Sequence, residues 1–189
     1  TGKYVNFLDS DDKWSLDAFS KVQNFFEERN SKIDLVTCRQ KFFEGKSGYP
    51  NQDYKFKEAK SYIVNIDKNP DYIVLSVSST FFKTRCLKDR EFDTRLNYGE
   101  DAKFITEILL ESEKYGLVKD AIFYLRKRND NTSLTQNSNI DITKFTNTIE
   151  YYYDYLIKLS KEKYNMVIPY IQYVVINGLK YRVSNQLPD

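Results

Sequence analysis

The sequence predicts an α/β fold, because segments with strand chemistry alternate with segments of helical periodicity along its 189 residues. Two observations carry that expectation. Residues 4–8, 33–43, 72–82 and 121–128 are rich in β-branched and aromatic side chains. Residues 16–29 and 101–114 instead repeat apolar side chains at a 3.6-residue spacing. The length suits one substantial core, and 41% apolar with 30% charged residues is a globular composition.

In chain order, residues 4–8 form a short apolar strand that ends at Asp9. Ser15 is placed to cap a helix over 16–29, with Asp17 in its first turn and Phe19, Val22, Phe25 and Phe26 along one face. The strand over 33–43 has Ile33, Leu35 and Val36 at its centre, and 45–57 is a polar loop or irregular hairpin. Residues 61–66 are ambiguous. Residues 72–82 make the second clear strand, and 87–97 a charged connection. The helix over 101–114 turns Phe104, Ile105, Ile108 and Leu109 inward. A short strand over 121–128 ends in Arg126-Lys127-Arg128, a polar loop covers 129–139, and two helices come next, broken near Ile168-Pro169.

Composition excludes several function classes. A net charge of +2 does not suit a nucleic-acid partner. The absence of histidine removes histidine triads, HExxH zinc sites and an imidazole base, so acid–base work falls to carboxylate, Lys, Tyr or Cys. Cys38 and Cys86 fit no metal spacing and point to free thiols in a reducing compartment. No apolar run reaches membrane-spanning length. The sixteen Tyr and thirteen Phe are compatible with half-buried packing or with stacking on sugars.

Three short motifs carry chemistry. Asp9, Asp11 and Asp12 lie just past a strand, where sites of open α/β sheets gather. They serve either as solvated acids at a helix entrance or as oxygen ligands for Mg2+ or Mn2+, completed by substrate phosphates. EF-hand spacing fails, because Lys13 and Trp14 stand where a ligand and a glycine are required. Glu100 and Asp101 either offset a helix dipole or supply a general base, with Gly99 allowing the sharp entry. Arg126 and Arg128 alternate onto one side of a strand, as a solvated basic end or as a bidentate diphosphate clamp.

These motifs occur in the order found in the family 2 glycosyltransferases with the GT-A fold, which the sequence resembles over roughly residues 1–135. The matching elements are Gly2-Lys3-Tyr4-Val5-Asn6-Phe7-Leu8-Asp9-Ser10-Asp11-Asp12, then Phe92-Asp93 through Tyr98-Gly99-Glu100-Asp101 to Phe104. Tyr124-Leu125-Arg126-Lys127-Arg128 with Asn131-Thr132-Ser133 completes the set. The resemblance implies a partial GT-A mixed sheet with flanking helices and a C-terminal helical appendage. The transferase part would span 1–138 and the appendage 139–189.

It further implies inverting, metal-dependent transfer from a nucleotide-sugar to a glycan or lipid-linked acceptor in bacterial surface-polysaccharide synthesis. Asp11 and Asp9 would hold Mg2+ or Mn2+, with Asp9 also toward the sugar nucleotide. Asp101 would be the base and Glu100 would position the acceptor. Arg126, Arg128 and Ser133 would meet the donor. The family's nucleotide-binding half is expected ahead of Gly2, so the 189 residues alone are expected to turn over little or nothing. The expected location is the cytoplasm, at the inner face of the membrane. The rival readings are a non-catalytic carbohydrate-binding module and an acceptor-positioning part of a polyol-phosphate polymerase.

Overall fold

The structure is a computed structural model that describes residues 2–29, 33–128 and 146–184. Six strands form one mixed sheet: β1 (Tyr4–Asn6), β2 (Lys13–Trp14), β3 (Leu35–Glu44), β4 (Tyr62–Asn65), β5 (Thr80–Lys83) and β6 (Lys114–Lys127). Their order is β1-β5-β3-β6-β2, and β4 also pairs with β6. Only β3 and β6 are parallel; β1 with β5, β5 with β3, and β2 and β4 with β6 are antiparallel. It follows that β1, β3 and β6 run the same way, and the chain leaves β1 on the side where β3 and β6 end.

Period-2 alternation divides the sheet's side chains between two apolar clusters. Val36, Phe81 and Val118 turn toward α1 (Ala18–Glu28), where Ala18, Val22, Phe25 and Phe26 are buried. Their neighbours Leu35, Phe82 and Leu117 turn to the other face, against Phe104, Ile105, Ile108 and Leu109 of α2 (Glu100–Ser112). The tail joins this second cluster. Tyr152 and Tyr153 of a π-helical turn (Ile149–Asp154), Leu156 of α3 (Tyr155–Tyr164), and Tyr170, Ile171 and Val174 of α4 (Pro169–Ser184) pack there. No helix among the described residues is long and apolar enough to cross a membrane.

Several expected elements differ in extent. The first strand stops at Asn6 instead of residue 8. The first helix begins at Ala18, and Ser15 does not cap it: Asp17 holds the capping position without a side-chain cap bond. Ser15 instead ties the chain to β6, its backbone N–H donating to the Ile122 carbonyl at 2.9 Å and its hydroxyl accepting from the Ile122 N–H at 3.2 Å. Phe19 is 57% exposed, although its ring meets Trp14 and Phe81. Of the run 72–82 only Thr80 onward is strand; Ile73, Val74 and Val77 are buried on irregular backbone. The last strand starts seven residues before the expected 121, at Lys114, and residues 61–66 resolve into β4.

Gly116 marks the tightest contact between sheet and α1. A Cβ there would lie 2.9 Å from Val36 Cγ2 and 3.1 Å from Ile33 Cδ1, and would strike the Phe25 ring. Overpacking of a filled core costs about 1–3 kcal/mol. Gly116→Ala should therefore lower stability by that amount in denaturant unfolding, and an unchanged midpoint would contradict this packing.

Candidate active site

The tract from Phe7 to Asp12 leaves β1 and crosses the ends of the intervening strands to reach β2 on the far side of the sheet. A turn, closed by the Asp12 N–H donating to the Asp9 carbonyl at 3.2 Å, presents the three aspartates. Each carboxylate takes a different partner. Asp9 Oδ2 accepts from the Ser78 hydroxyl at 2.9 Å. Asp11 Oδ2 accepts from Arg128 Nη2 at 2.9 Å, a half-exposed ion pair. Asp12 Oδ1 accepts from the Arg126 N–H at 2.8 Å. Burial still pushes the Asp12 carboxyl up, with the charges of Asp11 and Asp9 adding to it.

Arg126 and Arg128 do not act as a matched pair here. Arg128 meets Asp11, while the Arg126 guanidinium donates to Glu44 at the end of β3, at 2.7 Å. Ser133 lies outside the described residues.

Glu100 and Asp101 open α2, as expected. Gly99 precedes them at φ +85°, a left-handed conformation that suits glycine. The Tyr152 ring fills the space beside it, and a Cβ at Gly99 would come within 2.7 Å of Tyr152 Cδ1. Upstream, Asp93 fastens the preceding loop to the helix, accepting from Lys103 Nζ at 2.5 Å and from Arg95 at 2.7 and 2.8 Å. Those bonds, Arg95's first, hold the Asp93 carboxyl far below the usual range.

Asp101 Oδ2 accepts a long bond, 3.4 Å, from the Val77 N–H. Burial pushes its carboxyl up to about 6, the Glu100 charge adds to the rise, the Val77 bond opposes it, and the Asp9 charge adds a little more. Glu100 Oε2 is buried with no hydrogen-bond partner among the described residues, and Glu100 borders a cavity of about 280 Å3 with Asp93, Thr94 and Lys103. A buried carboxylate oxygen without a donor is costly unless a hydroxyl or water reaches it.

Asp9 and Asp101, 92 residues apart, thus meet on consecutive residues of one turn, Ser78 and Val77. Asn6 fixes that turn. Its Nδ2 donates to the carbonyls of Ser78 and Thr80, both at 2.9 Å, and its Oδ1 accepts from Trp14 Nε1 at 3.2 Å. The sequence reading missed Asn6, Val77 and Ser78. One signal was available: Asn6 is a lone amide within an otherwise apolar strand.

Among the described residues no three acidic or thiol groups converge to hold a metal ion. The Asp9–Asp11 tract nevertheless offers the oxygen chemistry a hard cation requires. It could supply two carboxylates, leaving the other positions to phosphate and water.

A protonated Asp101 stabilises the fold relative to the unfolded chain. That contribution is complete below about pH 4, the ordinary carboxylate range, and is lost as pH rises through about 6. Asp101→Asn should raise the Tm at neutral pH but not in acid, by a gain on the order of 1 kcal/mol once solvent screening is discounted. Equal shifts in both conditions would refute the buried ionisation.

No family model matches the chain. It is 35% identical over 96% of its length to the minor teichoic acid biosynthesis protein GgaB of Bacillus subtilis (strain 168), of which it covers 20%. It is 27% identical over 94% of its length to GgaA of the same organism, of which it covers 40%. The chain therefore spans between a fifth and two fifths of these curated relatives. Among solved structures, S. aureus TarS 1–349 in complex with UDP-GlcNAc superposes over 92% of this chain and 46% of its own, with a TM-score of 0.65 and 22% identity. TarS 1–349 in complex with UDP covers 67% of this chain and 36% of its own, at a TM-score of 0.56 and 25% identity. Along almost all of its residues the chain is thus similar in sequence to a part of the minor teichoic acid biosynthesis proteins GgaB and GgaA, and it shares the fold of TarS.

Proposed function

We propose that this chain carries the acceptor-activating part of a transferase that moves a sugar from a uridine-diphosphate donor to a teichoic-acid or related surface-polysaccharide acceptor. The observation that carries the reading is the shared turn, which brings Asp101 and Asp9 to one place. Asp101 is the base. A carboxyl that ionises at about 6 is a carboxylate at neutral pH and more basic than an exposed aspartate. It takes the proton of an acceptor hydroxyl, whose oxygen forms the new bond at the anomeric carbon. The bond to the diphosphate breaks on the opposite face, and the nucleoside diphosphate departs with the electron pair.

Glu100, bordering the neighbouring cavity, accepts from the acceptor's other hydroxyls. Arg128 and Arg126 supply positive charge near the departing diphosphate, and Asp9 and Asp11 are the residues to hold Mg2+ or Mn2+. Such a cation would compensate the charge of the leaving group. Arg128 already neutralises Asp11, so loading a cation exchanges one positive partner for another. The donor class is supported by the UDP-GlcNAc and UDP complexes of TarS. Transfer takes place in the cytoplasm at the inner membrane face, where nucleotide-sugars and lipid-linked acceptors meet. The 189 residues alone turn over little or nothing, since the resemblance places base and ribose contacts in a separate half of the domain.

The test is Asp101→Asn in a protein that joins this chain to a nucleotide-binding half. Turnover should fall by roughly 10²–10⁴-fold, the usual weight of a general base, with UDP-sugar affinity nearly unchanged. Full turnover would overturn the assignment. A non-catalytic carbohydrate-binding module predicts no turnover in either form. Tight, metal-dependent binding of UDP-GlcNAc by the 189 residues alone would contradict the division of labour.

A further inference from the structure

On another side of the turn that holds the two carboxylates lies a second cavity, of about 100 Å3, bordered by Gln40, Asp53, Lys55, Ser76 and Ser79. That is room for a few waters or one small oxyanion, not for a sugar ring. Its most unusual wall residue is Lys55, which is only 6% exposed. The ammonium donates to the Ile73 carbonyl at 2.7 Å. An ammonium has three N–H donors, and among the described residues Lys55 has no second hydrogen-bond acceptor.

The nearest acid does not resolve this. Asp53 is held by the bidentate fork of Arg39, at 2.8 and 2.7 Å. Arg39 and Asp53 cancel, and the Lys55 charge is left over. Burial accordingly drives the Lys55 ammonium down to about 7, with the Asp53 charge opposing. A buried cation without a counter-charge is expensive, and an arriving anion would offset that cost. The remaining wall is composed for hydrogen bonding, since the Gln40 amide donates to the Ser79 hydroxyl at 2.8 Å.

We infer that the Lys55 cavity is a subsite for a phosphate oxyanion of the acceptor, a phosphodiester of a polyol-phosphate chain lying beside the hydroxyl that Asp101 deprotonates. The inference rests on the transferase reading above and names the acceptor's chemical class. Position argues for acceptor over donor. Ser76 and Ser79 border the cavity, and Val77 between them donates to Asp101. The arginines suited to the donor diphosphate stand elsewhere, at the end of β6 beside Asp11 and Glu44. A neutral glycan would give Lys55 hydroxyl acceptors but no counter-charge, whereas a phosphodiester brings one negative charge and two free oxygens.

The experiment needs no turnover, so it is independent of whether sugar transfer is detected. Glycerol 3-phosphate, inorganic phosphate, glycerol and UDP are each titrated into the 189-residue protein while the Lys55 side-chain resonances are followed by NMR. Both phosphates should move Lys55 saturably, and glycerol should not. Lys55→Met should weaken glycerol 3-phosphate binding by roughly tenfold or more, the loss expected for one charge-assisted hydrogen bond. Unmoved Lys55 resonances, an equal response to glycerol, or undiminished binding by Lys55→Met would each overturn the subsite. A response to UDP as strong as that to glycerol 3-phosphate would overturn its assignment to the acceptor. The wild-type resonances keep the question answerable if Lys55→Met does not fold.

Discussion

Two like charges brought together from distant parts of a chain repel, and the site depends on how that repulsion is contained. Asp9 and Asp101 are drawn to adjacent residues of one turn, Ser78 and Val77, and the Asn6 side chain pins the turn by donating to Ser78 and Thr80. Asn6 is itself held by the Trp14 indole, whose ring lies among Phe19, Phe81 and Phe123. The carboxylates are therefore anchored through one amide into the aromatic packing beneath the sheet. Burial above all, then the charge of Glu100 and last that of Asp9, raises the proton affinity of Asp101 toward neutrality. Part of the folding free energy is thereby converted into basicity.

The sheet is arranged to make that meeting possible. β6 presents one edge to β3 along most of its length and offers the other first to β4 and then to β2. Pairing with β2 gives the aspartate tract a fixed landing point beyond its turn, and Ser15 fastens it again at Ile122. Between Cys38 and Arg39 the ladder shifts, β6 advancing from Val118 to Ile122 while β3 advances one residue. Such irregularities bend a strand and re-aim its remaining length. In β6 that length leads to Arg126 and Arg128, which reach Asp12 and Asp11.

Much of this was legible in the sequence wherever local rules decide. Val22, Phe25 and Phe26 show the buried face of α1, Gly99-Glu100-Asp101 marks the start of α2, and Ile168-Pro169 marks the break in the tail. What stayed hidden depends on distant partners. Two residues, Lys13 and Trp14, make no periodic pattern, and they are a strand only because β6 lies beside them. The run 72–79 is apolar enough for a strand, yet it turns irregularly because Ile73, Val74 and Val77 are buried against the tail and α2. Ser15 has the chemistry of a helix cap and serves as a strand bridge instead. Ser78 gives no signal of its role until the fold sets it beside Asp9, and Asn6 gives only the oddity of an amide in an apolar strand.

The ring of Tyr152 against Gly99 has an evolutionary consequence. Helix α2 enters its first turn through a glycine whose missing side chain is replaced, in space, by an aromatic group from fifty-odd residues downstream. The tail is thus a buttress for the carboxylate pair at that helix's start. Recombination that joined this strand-and-helix core to a foreign tail would open a void at Gly99, unless the newcomer brought its own ring to the same place. Productive exchange of whole modules among such proteins should therefore place its breakpoints beyond Tyr152.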